Sequence, residues 1–302
     1  MKPTIKFIEK RNLWYLISFT IIFIGFTLIG LRAINSKPAL NYGIDFVGGN
    51  TFLLQLQYTK ININDTQIIS KIRTVLDKYD LEKSEIQLSE NNQLYIKTTS
   101  IDKSISSSLL ADLTTTLGNF EILEIDYIGP SIGNSLKKQS IWIILVVSAS
   151  LLLYITLRFE LSFGISALLA LLHDTLIMIS AAAIFSFEIN TAFIAALLTI
   201  LGYSINDTIV IFDRIREQLN KNDSKTTLIE LTNSSLTQTL SRTLSTSITT
   251  LLVIISLILF SDGSIKEFCI LLFIGIVAGT YSSIFIASPI FVALHKEKPR
   301  EE

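Results

Sequence analysis

The sequence predicts a polytopic α-helical membrane protein with a small α+β domain inserted between its first two spans. Three observations predict it: six apolar windows long enough to cross a bilayer, a low charge content, and a polar, periodic stretch between the first two windows. Of 302 residues, 49% are hydrophobic and 17% charged, against about 25% charged in a soluble globular chain. Mean hydropathy is +0.52. A net charge of −1 argues against bulk attraction to nucleic acid, which is not an expected partner. The lone cysteine, Cys269, lies in an apolar run, so no intramolecular disulfide can form and its expected role is helix packing.

A span needs roughly 20 mostly apolar residues. Windows at about 13–33, 140–158, 161–184, 190–212, 238–260 and 268–294 meet that requirement. Basic residues precede the first, but the run from Leu13 to Leu31 is too long for a signal-peptide core. Arg32 stands where a small-residue cleavage site would lie, so this window reads as a retained anchor. Lys2, Lys6, Lys10 and Arg11 flank it; Arg158 follows the second window; Arg214, Arg216, Lys221 and Lys225 follow the fourth; Lys296, Lys298 and Arg300 end the chain. The alternate connections are poor in basic residues: 185–189 has none, and 261–267 has only Lys266. By the positive-inside rule both termini are expected in the cytoplasm. The expected division is 1–34 for the N-terminus and first span, 35–138 for an outside domain, 139–295 for a five-helix bundle, and 296–302 for a tail. The polar stretch 217–237, with Leu219, Leu228, Leu231 and Leu236, reads either as an interfacial helix or as a solvated helical connector.

Within the outside segment, 51–58 alternates apolar and polar through Phe52, Leu54, Leu56 and Tyr58, the period of a half-buried strand. Residues 65–79 place Ile68, Ile69, Ile72, Val75, Leu76 and Tyr79 on one helical face, capped by Asn64 or Asp65. Two short strands at 85–88 and 93–97 meet at an Asn91-Asn92 turn. A second amphipathic helix, 101–117, stops at Gly118. The last strand, 120–128, alternates with a slip in phase. The order β-α-β-β-α-β is that of a ferredoxin-like sandwich, a fold that says little about function alone.

Walker, HExxH and GxSxG motifs are absent, as is any Cys/His cluster, so neither metal nor cofactor is expected and the chain does not read as an enzyme. Interest falls on polar groups inside the spans, where a charged residue costs about 2.5–3.5 kcal/mol on insertion scales. Asp207 precedes Arg214 by seven residues, about 10 Å along a helix, with Asn206 beside it. Burial penalises its charged form while a nearby cation favours it, and such opposed influences suit a group that loads and releases protons. The alternative is a packing hydrogen bond. Arg242 is the natural cationic partner, and Ser245, Thr246 and Thr249 continue its face inward. His173 and Asp174 lie midway along the third span; adjacent helical residues diverge, so they do not make a ready dyad, and a packing bond and a relay role both stand. Asp213 and Arg214 mark the membrane boundary. Outside, Gly43, Asp45, Gly48 and Gly49 belong to a turn leading into the first strand.

Gly43-Ile-Asp-Phe-Val-Gly-Gly49, His173-Asp174, the run Gly202–Glu217 and Leu236-Thr-Gln-Thr-Leu-Ser-Arg-Thr243 together resemble the SecF family, the smaller membrane subunits of bacterial SecD–SecF protein-export complexes. The match runs nearly the whole chain, and the fourth-span motif is its most specific part. The resemblance implies an RND-like half-transporter of six spans, completed by SecD, with the halves related as parallel repeats. It implies that proton flow involving Asp207 and Arg242 drives late preprotein translocation through SecYEG at the inner membrane, with YajC a further partner; Asn206, and secondarily His173, Asp174 and Asp213, join them as candidates by their place in the spans. Another proton-driven exporter half, for lipid or a small molecule, and a non-transporting scaffold are the competing readings. A cysteine at Asn91 is expected to react with an impermeant thiol reagent from the outside alone; labelling only from the cytoplasm would overturn the assigned topology.

Overall fold

A computed structural model describes residues 5–36, 38–57, 65–82, 84–89, 92–221, 226–261 and 263–295. The expected cap at Asn64, the Asn91 half of the turn and the tail 296–302 lie outside the described residues. Two compact units result: one from the residues up to Asn41 and from Trp142 on, the other Tyr42–Ile141.

The Tyr42–Ile141 unit contains α2 (Ile44–Val47), β1 (Gly49–Leu56), α3 (Asp65–Asp77), β2 (Glu85–Leu88), β3 (Gln93–Thr98), α4 (Lys103–Leu117), β4 (Phe120–Ile128) and the start of α5 (Pro130–Arg158). The strands form one antiparallel sheet ordered β2-β3-β1-β4, the split arrangement of a ferredoxin-like sandwich. Period-two alternation turns Phe52, Leu54, Leu56, Leu94 and Ile96 to one face, where Ile68, Ile72, Leu76, Leu109 and Leu113 of the two helices bury them. The slip in β4 has a cause: the pairing jumps between Leu53 and Leu54, leaving Leu123 unmatched. That bulge lets Ile122 pair with Leu54 and Ile125 with Phe52, on one face although three residues apart. Both are nevertheless exposed, because the helices cover β1 and β3 and stop short of the edge strand.

The turn before β1 explains its glycines. Gly43 caps α2, and Gly48 takes φ 78°, a left-handed conformation that glycine adopts freely. A side chain at Gly49 would meet the Thr98 carbonyl oxygen at 2.4 Å, so its absence lets β1 and β3 approach. Asp45 lies in the first turn of α2, half-buried and with partners of its own.

The other unit holds α1 (Arg11–Ile34), preceded by a 3₁₀ turn (Ile8–Lys10), then the rest of α5, α6 (Leu161–Phe185), α7 (Thr191–Lys221), α8 (Leu228–Phe260), α9 (Gly263–Ser282), a π-helical turn (Ser283–Ala287) and α10 (Ser288–Leu294). Six helical segments are long and apolar enough to span a bilayer. Of these α6, α7 and the α9–α10 segment are the most buried, while α1, α5 and α8 lie at the periphery. Glycines set the spacing: Cβ atoms at Gly275 and Gly279 would fall on Ile200 and Ser204, so α7 and α9 meet at backbone distance, as small-xxx-small helices do in membranes. The π turn precedes Pro289, whose missing N–H and ring disrupt the regular ladder.

No separate helix occupies 217–237. Residues 217–221 prolong α7, and 228–237 open α8, which begins at a reciprocal capping box between Thr227 and Glu230. Its leucines do not lie along a lipid surface: Leu231 and Leu236 join Phe7, Ile8, Phe159, Phe163, Phe212 and Phe291 in the core of the bundle. Beside them Asn233 accepts from the backbone N–H groups of Phe7 and Ile8 at 2.9 and 3.1 Å and donates to Glu9. That amide satisfies donors left free at the start of the first span.

Between α1 and α6, a Cβ on Gly25 would sit 2.4 Å from Ser180 Cβ and 2.6 Å from its Cα, whereas Gly30 has open space. Gly25→Val is expected to lower unfolding stability in detergent by about 1–3 kcal/mol, the usual cost of overpacking, and Gly30→Val to leave it nearly unchanged. Equal losses would trace the effect to helix propensity instead of packing.

Candidate functional site

Two buried carboxylates lie among the spans. Asp207, on α7, is 2% exposed. Its neighbours are hydroxyls: Ser247 Oγ of α8 donates across a long 3.5 Å, and the Thr280 hydroxyl of α9 also reaches it. Ser247 in turn contacts Thr280 Oγ1 of α9 at 2.6 Å. Arg242 forms neither a hydrogen bond through its side chain nor an ion pair with Asp207; its charge reaches the carboxylate through space alone. The inward face of α8 is Thr239, Thr243 and Ser247, all buried, at a spacing of four. Arg242, Ser245, Thr246 and Thr249 share a face, as their spacing requires, but it is the exposed one. The stripe that runs along the span from the guanidinium is thus on an exposed face, and the packing of α8 on α7 and α9 turns the neighbouring face inside.

Asn206, next to Asp207, is also exposed and without a hydrogen-bond partner among the described residues. With Thr199 and Gly202 it forms a polar, small-residue strip along the outer face of α7.

The second carboxylate is Asp174. Contrary to expectation, it and His173 do form a dyad, with Nδ1 and Oδ1 3.0 Å apart and both side chains buried. The Cβ atoms diverge, but the imidazole folds back along the helix and meets the carboxylate, since burial leaves each its nearest partner. Asp174 Oδ2 accepts from Ser204 of α7 at 2.6 Å and from Ser282 of α9 at 2.9 Å. His173 Nε2 lies 2.9 Å from Ser18 Oγ of α1. Thr208 and Ser283 add a further contact at 2.8 Å between α7 and the π turn. Sequence reasoning passed over Ser18, Thr280, Tyr281, Ser282 and Ser283; the signal that marks them is Thr280-Tyr-Ser-Ser283, four polar residues in a row within an apolar span.

Asp213 sits between two arginines, 3.2 Å from Arg158 and 2.9 Å from Arg216, and the Arg216 guanidinium also donates to the Arg158 carbonyl. These bonds tie the end of α5 to α7. Arg214 engages Glu217 and Gln238. A cleft of about 450 Å³ between α7 and α8 is lined by Val210, Asp213, Arg214, Glu217, Gln238, Thr239 and Arg242. Among the described residues no cluster of His, Cys, Asp and Glu is arranged to hold a metal.

Comparison with known proteins gives this geometry its family. The model for the C-terminal part of SecD/SecF protein export membrane proteins matches residues 97–297, and the SecD/SecF GG motif matches 37–57. The chain belongs to the SecF family. The protein translocase subunit SecF of Sebaldella termitidis is 38% identical over 99% of this chain and 95% of its own length. That of Borreliella burgdorferi is 38% identical over 85% of this chain and 87% of its own. Among solved structures, SecDF from Thermus thermophilus, described as a translocon-associated membrane protein, is 30% identical with a TM-score of 0.84. The match covers 97% of this chain and 39% of the SecDF chain. Six spans of this likeness make the bundle an RND-like fold, and the SecF family membership makes the chain a subunit of a SecD/SecF protein translocase. The GG motif of the family is the turn at Gly48 and Gly49, where the structure gives both glycines a steric reason.

Proposed function

We propose that this SecF chain completes a proton-driven transporter with SecD, and that proton flow through the joined membrane halves drives late translocation and release of preproteins leaving SecYEG. The observation that carries the reading is Asp207: a carboxylate buried among α7, α8 and α9 whose bonded neighbours are hydroxyls alone. An unpaired charge in a low-dielectric bundle is costly, and taking up a proton removes that cost. Arg242, with no bonded carboxylate among the described residues and close enough to act through its field, favours the charged form again when it draws near. Asn206 extends the polar path to the outer face of the helix. His173 and Asp174 lie one helix further in, and Asp213 acts as a structural ion pair at the boundary.

The SecD half is expected to cover the exposed faces of α7 and α8. Asn206, Ser245 and Arg242 leave polar groups where lipid offers no hydrogen bond, beside Thr199, Thr246 and Thr249, which bond their own helix, and polar residues between membrane helices commonly bond across to a partner. The assigned setting is the bacterial inner membrane with both termini cytoplasmic, SecYEG and YajC as neighbours, and the Tyr42–Ile141 unit in the periplasm.

Preprotein translocation into inverted membrane vesicles, with and without a proton gradient, tests the reading. Asp207→Asn and Arg242→Ala are each expected to assemble with SecD and to lose the gradient-dependent stimulation. Full stimulation in both variants would leave a scaffold or a carrier for another substrate. The partner surface has its own test. Gly202 has open space where a side chain would go, so Gly202→Trp is expected to fold normally and to recover little SecD on affinity purification. Unchanged recovery would place SecD against another face.

A further inference from the structure

Helices α1 and α9 both pack along α6, and they meet each other towards one end. There the Tyr281 hydroxyl of α9 donates to the Trp14 carbonyl of α1 at 2.7 Å, and the Trp14 ring lies 4.2 Å from Phe285 of the π turn. Towards the other end the two helices part. A cavity of about 330 Å³ occupies the gap, running from Ser18, His173 and Tyr281 to Ile184 and Phe185 at the end of α6. Beyond that polar corner every lining residue is apolar. Its floor is buried, through Ile177, Ala181 and Ala278, whereas Ile21 and Val277 on its two rims are 40% and 45% exposed. The cavity is therefore a slot, closed at its floor and open along one side.

Water does not suit such a space. An apolar cavity of about 150 Å³ already stays dry and takes an apolar guest, and this one is larger. Left empty, the slot would forfeit dispersion contacts along its whole lining. Between membrane-spanning helices the guest at hand is lipid hydrocarbon, and the dimensions fit it. From His173 to Phe185 is twelve residues of α6, about 18 Å along the helix, close to the roughly 15 Å of hydrocarbon in one leaflet. Spread over that length, the volume leaves a slot about 5 Å across, room for one extended hydrocarbon chain but not for a helix of about 10–12 Å.

The Phe185 end of the slot carries a partner for a headgroup. Arg32, in the last turn of α1, donates from Nη2 to Ser186 Oγ at 3.0 Å, and Ser186 directly follows Phe185. That bond sets a guanidinium where the apolar lining ends, which is the level of a lipid phosphate. Guanidinium and phosphate pair through two parallel N–H bonds.

We propose that the slot between α1, α6 and α9 is a phospholipid site, holding one acyl chain with its phosphate at Arg32. The end of the chain lies against Ser18, His173 and Tyr281 and keeps water from that polar cluster on the side that α1 and α9 leave open. Lipid thereby supplies the packing between these two helices that side chains do not. In the topology assigned above, the lipid belongs to the outer leaflet; only the naming of the leaflet rests on that reading.

The test uses the complex with SecD, reconstituted with phosphatidylglycerol that carries a photoactivatable diazirine midway along one chain. Irradiation is expected to cross-link the lipid to Ile177, Phe273 and Val277, and also to the exposed Trp142 and Leu145 of α5. Washing with detergent before irradiation separates the two groups: slot cross-links are expected to persist while those on α5 disappear. Val277→Trp fills the slot from its exposed rim and is expected to abolish the retained cross-links without loss of SecD on co-purification. Arg32→Gln should lower lipid retention about tenfold, the worth of one hydrogen-bonded contact to a charged group. Slot cross-links that wash away as fast as those on α5 would overturn the proposal and leave ordinary boundary lipid. Undiminished retention in Val277→Trp would overturn it as well. No readout here uses a proton gradient, so the result is independent of the Asp207→Asn export test.

Discussion

A carboxylate sealed from water must find its hydrogen-bond donors on neighbouring helices, and Asp174 imposes that requirement at the centre of the bundle. Its two oxygens take donors or a shared hydrogen from α6, α7 and α9 at 2.6–3.0 Å. Serine is short, so a serine donor brings its backbone close. The helices approach that closely only because Gly275 and Gly279 leave room for Ile200 and Ser204. Each of these features depends on the others: without the glycines the serines could not reach, and without the serines the acid would be buried unsatisfied, at a cost of several kcal/mol in an apolar setting.

The same packing sets the two acids apart in character. Asp174 is saturated with partners: His173, Ser204 and Ser282. Asp207 has only hydroxyls, Ser247 at a long 3.5 Å and Thr280, and Arg242 acts on it through space without contact. A saturated group resists change, whereas a poorly satisfied one responds to small movements of its neighbours. Segment 280–283 of α9 touches both environments, and it leads directly into the π turn before Pro289. Local geometry therefore gives one helix contact with both groups at the point where its own ladder is irregular.

The peripheral helices are informative for the opposite reason. Arg242, Asn206 and the hydroxyls beside them gain nothing from facing lipid, yet the fold turns them outward. The chain matches 39% of a SecDF chain, and under the proposed reading SecD covers this face. A pattern that looks frustrated in one subunit is consistent once a second bundle is expected against it.

Much of this protein was legible in its sequence. The six spans, the strand–helix order, the slip in phase of β4 and the stop at Gly118 all follow from composition and local periodicity, which a short window contains, as does the choice of Asp207 as a candidate. Three features were not: the inward face of α8, the meeting of His173 with Asp174, and the continuation of α7 and α8 through 217–237. Residues 242, 245, 246 and 249 share a face in any helix, but the rotation of that helix about its axis depends on what it packs against. Thr243 and Ser247 point inward because α7 and α9 are there to receive them. Local sequence determines which residues travel together; only tertiary packing decides which way they look, because each buried polar group must find a donor that lies far away along the chain.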